Sequence, residues 1–245
     1  MASTAPSFRD GRRRAKHPAA MALPLSPDQP DRAVAPAERG IDRNFLLARL
    51  GSFLAFFPLG VWTANHLWNQ LAAFAGSRAW EQSVTAHSSP ASAALTFTVV
   101  LVPLVWHTGW GIVRLGKTRS STVRNVSNLR YWLQRASALG LLAFLGAHLW
   151  LAWIEPRFVK GRPEPFADIA REMHHHTPTL VVYVLGILAI AYHLANGIWS
   201  FATMGWGIAV SKSAQTWFER LALLVFVFFL AIGWAAVYAL YRAGT

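Results

Sequence analysis

Five apolar stretches, roughly residues 45–72, 92–115, 131–154, 178–206 and 216–241, dominate the chain. At about 1.5 Å per residue each is long enough to cross the ~30 Å hydrocarbon core of a bilayer as a helix. Inside lipid the backbone polar groups must be satisfied within the chain itself, so segments of this kind fold as helices. The composition agrees: 54% of residues are hydrophobic and 14% charged, where a soluble domain carries about 25% charged residues. The expected fold is therefore all-α, an integral membrane bundle of five transmembrane helices, here called spans I to V. Pro58 and Pro103 fall inside spans I and II and are expected to bend them, whereas Pro90, Pro156, Pro163, Pro165 and Pro178 fall at boundaries.

A formal net charge of +12 raises nucleic acid as a partner. Its placement argues for a membrane surface instead, because outside the tail the basic residues sit between apolar stretches, where they fix orientation and meet anionic headgroups. The N-terminal side holds nine Lys and Arg in the tail and first turn, six between spans II and III and two between spans IV and V. The opposite side holds Arg78, four between spans III and IV, and Arg242. The N-terminus is thus expected to be cytoplasmic and the C-terminus external. Residues 1–42, rich in Ala, Pro, Ser and Arg, read as a disordered cytoplasmic tail ahead of a five-helix domain over 43–245. No uninterrupted apolar run follows the basic GRRR cluster, so a cleaved signal is not expected, and Met21 is an alternative start. With no cysteine in the chain, disulfides, thiolate catalysis, iron–sulfur ligation and covalent c-type haem attachment are excluded here.

Four of the nine histidines lie within spans: His66 in span I, His107 in II, His148 in III and His193 in IV. A polar ring in lipid is costly without a partner, which makes each a functional candidate. Chain direction alternates from span to span, so position converts to depth. His66 and His148 lie about 20 and 17 residues into outward-running spans, near the outer face. His107 precedes the cytoplasmic-end Arg114, and His193 lies about 15 residues into an inward-running span, so both sit nearer the cytoplasm. Two pairs at two depths suit two six-coordinate haems stacked across the bilayer, whose chemistry is electron transfer because both axial positions are filled. A haem-free bundle using the histidines as proton relays or polar glue remains the alternative.

Small residues such as Gly109, Gly111, Gly146 and Gly197 could make room for a flat macrocycle, with Trp106, Trp110, Trp150 and Trp199 around it. Haem propionates need cationic partners, and Arg49, Arg135 and Lys212 are candidates on the cytoplasmic side, with Arg78 on the outer one. The run His174–His176 reads as a solvated turn before span IV, with metal binding as the alternative.

Several segments resemble the single-chain, five-helix, dihaem cytochrome b subunit of succinate:menaquinone and quinol:fumarate reductases. They are ARLGSFLAFFPLGVWTANHLWNQ around His66, VPLVWHTGWGI around His107, RYWLQR, GAHLW around His148, and YHLANGIWSFATMGWGIAVSKSAQ from Tyr192. The resemblance covers about Asn44 to Ala239. It implies that His66 and His148 hold the iron of a distal haem b and His107 and His193 that of a proximal one. It further implies a bacterial cytoplasmic membrane protein, with a flavoprotein carrying FAD and an iron–sulfur protein docked on the cytoplasmic face. Electrons would then pass from succinate through the iron–sulfur clusters and both haems to a quinone near the outer face, menaquinone being favoured. Similar fumarate reductases carry a glutamate two residues before the fourth histidine, where this chain has Ala191. Quinone protonation would then need water or an outer-face acid such as Glu81. A cytochrome b serving a hydrogenase or formate dehydrogenase is the competing partner reading.

Overall fold

A computed structural model describes residues 43–85, 89–117 and 128–245. The tail expected over 1–42 lies outside the described residues. Among the described residues seven helical elements follow one another: α1 (Arg43–Ala75), α2 (Ser77–Val84), α3 (Pro90–Gly116), α4 (Leu129–Val159), α5 (Phe166–His175), α6 (Thr177–Gly205) and α7 (Lys212–Ala243). Spans I to V correspond to α1, α3, α4, α6 and α7, the five helices long and apolar enough to cross a membrane. No strand occurs among the described residues.

The prolines inside the spans are met by local changes of helical register. Pro58 sits in a π turn over Ala55–Gly60, and another over Phe97–Leu101 immediately precedes the turn holding Pro103. A proline lacks the amide that would bond four residues back and clashes with that carbonyl; widening the turn to a five-residue repeat relieves both. Span III departs from expectation in the same way. Its helix runs past Pro156 to Val159 as a π segment from Trp150, closed by Lys160 N–H donating to the Glu155 carbonyl at 3.0 Å.

Membrane-type packing holds the bundle together, with small residues allowing helices to approach and large apolar side chains left on the outside. A Cβ on Gly186 of α6 would stand 2.1 Å from the Phe144 ring of α4, and one on Gly233 of α7 would stand 2.5 Å from Ile187. Around these contacts Phe144, Tyr183, Ile187, Val237 and Leu240 form one buried cluster. Leu67, Ala191, Phe229 and Ile232 form a second between α1, α6 and α7. Exposed Phe57, Val61, Val105, Leu185, Leu223 and Leu224 face outward, where lipid is the natural solvent.

Two connections expected as loops are helices. In α2 the Trp80 ring is buried, its indole N–H donates to Gln70 Oε1 at 2.8 Å, and it lies 5.6 Å from the Phe166 ring of α5. Helix α5 buries Phe166, Ala170 and Met173 against the C-terminal end of α7, so the segment before span IV is a packed cap. The His174–His176 run is accordingly not a simple solvated turn: His174 is half-buried and its Nδ1 bonds the Tyr241 carbonyl at 3.1 Å.

Replacing Gly186 by Ala is expected to overpack the α4–α6 contact and destabilise the protein by about 1–3 kcal/mol. Thermal unfolding in detergent would read this as a lowered midpoint. Gly116→Ala, where an added Cβ meets nothing within 4 Å, should leave the midpoint unchanged or raise it.

Candidate functional site

Four helices bring the intramembrane histidines together two by two. The His66 and His148 rings lie with centres 5.9 Å apart and planes at 74°. The His107 and His193 rings lie 6.2 Å apart at 77°. Two metal–nitrogen bonds of about 2 Å plus two ring radii of about 1 Å give a span of about 6 Å, so the ring spacing in each pair suits two imidazoles sharing one metal ion. Three or more His, Asp or Glu do not converge on one point among the described residues.

The pairs occupy different levels of the bundle. Tyr183, which bonds His148, and His193 both lie on α6. Their separation in sequence corresponds to about 15 Å along the helix axis.

At the level of His107 and His193 the ring nitrogens meet amides, a hydroxyl and a carbonyl. His107 Nδ1 lies 3.1 Å from the carbonyl of Gly51, a buried glycine on α1. His193 Nδ1 lies 3.3 Å from Gln134 Nε2 and 3.4 Å from Ser137 Oγ, both on α4. Asn196 Nδ2 in turn donates to Gln134 Oε1 at 2.8 Å, which holds the amide in place. An imidazole bonded through Nδ1 is oriented and has Nε2 left for a metal.

The other level is aromatic. His66 stacks on Trp62, ring centres 4.7 Å apart and planes at 8°. His148 stacks on Phe144 at 5.5 Å and 20°, and its Nδ1 lies 3.1 Å from the Tyr183 hydroxyl.

The basic candidates on the side of His107 and His193 are engaged with protein groups. Arg49, two residues before Gly51, has its guanidinium over the Phe45 ring at 4.4 Å and 6.0 Å from the Trp206 ring. Arg135, next to Gln134, donates to the Leu115 carbonyl at 2.7 Å and lies over Tyr131 at 4.5 Å, bridging α4 to the end of α3. Lys212 lines a 330 Å³ cavity with Arg130, Trp199 and Glu219, where Arg130 pairs with Glu219. Glu81 is exposed on α2 and is not among the residues that line the cavity under α5. That cavity, about 600 Å³, is bordered instead by Glu155, Glu164, Asp168 and Glu172.

Sequence reasoning had not singled out Gln134, Ser137, Tyr183 or the Gly51 carbonyl. The first three carried a readable signal, since each is a hydrogen-bonding side chain inside an apolar span. A backbone carbonyl carries none.

No family profile and no solved structure matches the chain. Among curated proteins it is similar to the succinate dehydrogenase cytochrome b558 subunit of Bacillus subtilis (strain 168), with 31% identity over 205 residues. The match covers 81% of this chain and 98% of that relative. With that coverage and five membrane-crossing helices, the chain belongs to the family of succinate dehydrogenase cytochrome b subunits, multi-pass membrane proteins of an oxidoreductase.

Proposed function

We propose that the chain anchors a succinate dehydrogenase to the membrane and carries electrons from its iron–sulfur subunit to a quinone through two haems b. The observation that carries this reading is the pair of imidazole couples, 5.9 and 6.2 Å between ring centres, at two levels. In it His66 and His148 hold the distal haem iron, and His107 and His193 the proximal one. Held between two imidazoles, each haem would supply one-electron chemistry.

The chain's own residues support these roles by orienting the rings. An imidazole that ligates through Nε2 keeps its proton on Nδ1, and the Gly51 carbonyl can accept it from His107, the Ser137 hydroxyl from His193 and the Tyr183 hydroxyl from His148. Gly111 and Gly197 stand one helical turn beyond His107 and His193, where an added Cβ would meet nothing within 4 Å. That leaves the helix faces flat beside the proximal rings. Trp110, on the same face of α3 as His107, has a buried indole N–H with no protein acceptor. This donor suits a propionate, and Arg49 and Arg135 at the same level supply positive charge.

The basic N-terminal side is the cytoplasmic one in this reading, and there a flavoprotein with FAD and an iron–sulfur protein dock. Menaquinone is the favoured acceptor, near the distal haem.

The purified complex should contain about two b-type haems per chain. His148→Ala is expected to remove the distal haem and leave the proximal, and His107→Ala the reverse. Pyridine haemochrome assay and stepwise redox titration read the outcome, and an unchanged haem count in either variant refutes the ligand assignment. Orientation is testable because the chain has no cysteine. A cysteine at Lys160 should react with an impermeant maleimide added outside cells, and one at Ser211 only after the membrane is opened; the reverse pattern would invert the topology.

A further inference from the structure

Around the distal pair a graded series of polar groups runs from water to the ring of His148. At its outer end Glu172 and His176 are 40% and 56% exposed, with Oε1 and Nδ1 2.9 Å apart. Thr179 comes next, 5% exposed, its hydroxyl donating to Glu172 Oε1 at 2.7 Å and lying 2.7 Å from His176 Nδ1. One turn deeper on α6 is Tyr183, 7% exposed, whose hydroxyl lies 3.1 Å from His148 Nδ1. All of these except His148 line the 600 Å³ cavity capped by α5. Thr179 and Tyr183 both line this polar cavity, which is large enough to hold water between their hydroxyls.

Ligation settles the direction of the innermost bond. With Nε2 of His148 on the iron, Nδ1 carries the proton and donates to the Tyr183 oxygen. The Tyr183 O–H is then left to donate into the cavity. The same cavity gathers charge of both signs, Lys160, Arg162 and Arg171 standing among four carboxylates, and Glu164 Oε2 is buried there without a hydrogen-bond partner, with Lys160 Nζ 3.9 Å away. Burial there raises the Glu164 carboxyl above its ordinary pKa, the neighbouring Asp168 and Glu155 add to the rise, and Lys160 and Arg162 oppose it.

We propose that Glu172, Thr179 and Tyr183, with the water held between them, form the proton route between the external aqueous phase and the quinone at the distal haem. The inference rests on the haem reading above. Reduction of one quinone to a quinol consumes two electrons, which arrive through the haem sites from succinate oxidation, and two protons, which this route takes from the external phase. Oxidation of the quinol releases the same two protons outward. Glu172 takes up or releases the proton at the mouth, Thr179 relays it past the buried rim, and Tyr183 orients the innermost water and His148 by hydrogen bonding. Ala191 at the fourth-histidine helix offers no such group, being fully buried among apolar side chains.

The test uses the intact three-subunit complex, a short-chain naphthoquinone as acceptor, and a phenazine dye that takes electrons before the haems. Glu172→Gln and Thr179→Val should keep both haems and the succinate-to-dye rate. Their succinate-to-quinone rate should fall about tenfold or more, with an enlarged solvent isotope effect in D2O. Added formate, a small diffusible acid, should restore part of the rate to Glu172→Gln. Tyr183→Phe should keep the distal haem and raise its midpoint potential, since His148 Nδ1 loses its acceptor. Unchanged quinone rates and isotope effects in both Glu172→Gln and Thr179→Val would overturn the route. So would loss of the distal haem in both, which would make these residues structural, and an unshifted potential in Tyr183→Phe would detach Tyr183 from His148. A wild-type complex without b-type absorbance is a different failure, that of the haem reading itself.

Discussion

Four imidazoles inside a lipid-facing bundle set the terms for the rest of this structure. A buried polar group without a partner costs several kcal/mol in hydrocarbon, and each of these rings is met on one side by protein and faces a second ring on the other. His107 has a backbone carbonyl, His193 an amide and a hydroxyl, His148 a phenol and His66 a stacked indole. Helices α1, α3, α4 and α6 are held at the spacing these contacts require, while α7 carries no intramembrane histidine and serves as packing surface for α6 and α1. The Gly186–Phe144 and Gly233–Ile187 contacts fix that spacing from the side of the apolar core.

The two couples differ in what supports them, and the difference follows depth. Near the N-terminal side the supports are strong acceptors or amides tied into a network through Gln134 and Asn196. Toward the α5 cap the supports are aromatic: Trp62, Phe144 and Tyr183. Groups of this kind tune ligand basicity and the polarity around a metal. Two chemically identical imidazole pairs can therefore hold metals at different potentials, as the proposed electron transfer across a bilayer needs. The aromatic level is also the one beside the cavity lined by Glu172, Thr179 and Tyr183, so in the proposed reading electron and proton transfer meet at the same end of the bundle.

Much of the fold was legible because lipid removes alternatives: a long apolar stretch can only be a helix, and Arg and Lys between stretches mark its ends. The four histidines were legible for a related reason, as polar residues where polarity is costly. Other features depend on tertiary contacts that periodicity does not encode. The helix continuing through Pro156 relies on a π turn, and α2 and α5 are short amphipathic segments whose apolar faces are defined by Trp80, Phe166 and Met173 meeting one another and α7. Glu81 was the acid suggested by sequence for the outer face, yet the fold turns it outward and draws Glu155, Glu164, Asp168 and Glu172 around the cavity. Which acid faces inward depends on how α5 docks, and a linear reading has no access to that.

The central claim is that each couple holds one iron between two imidazoles, and ligand-plane geometry tests it directly. The planes cross at 74° and 77°, and near-perpendicular imidazoles leave the iron d orbitals close to degenerate. Electron paramagnetic resonance of the oxidised complex at liquid-helium temperature should therefore show two strongly anisotropic low-spin ferric signals. A high-spin ferric signal, the rhombic low-spin pattern of parallel imidazoles, or no haem signal at all would contradict it.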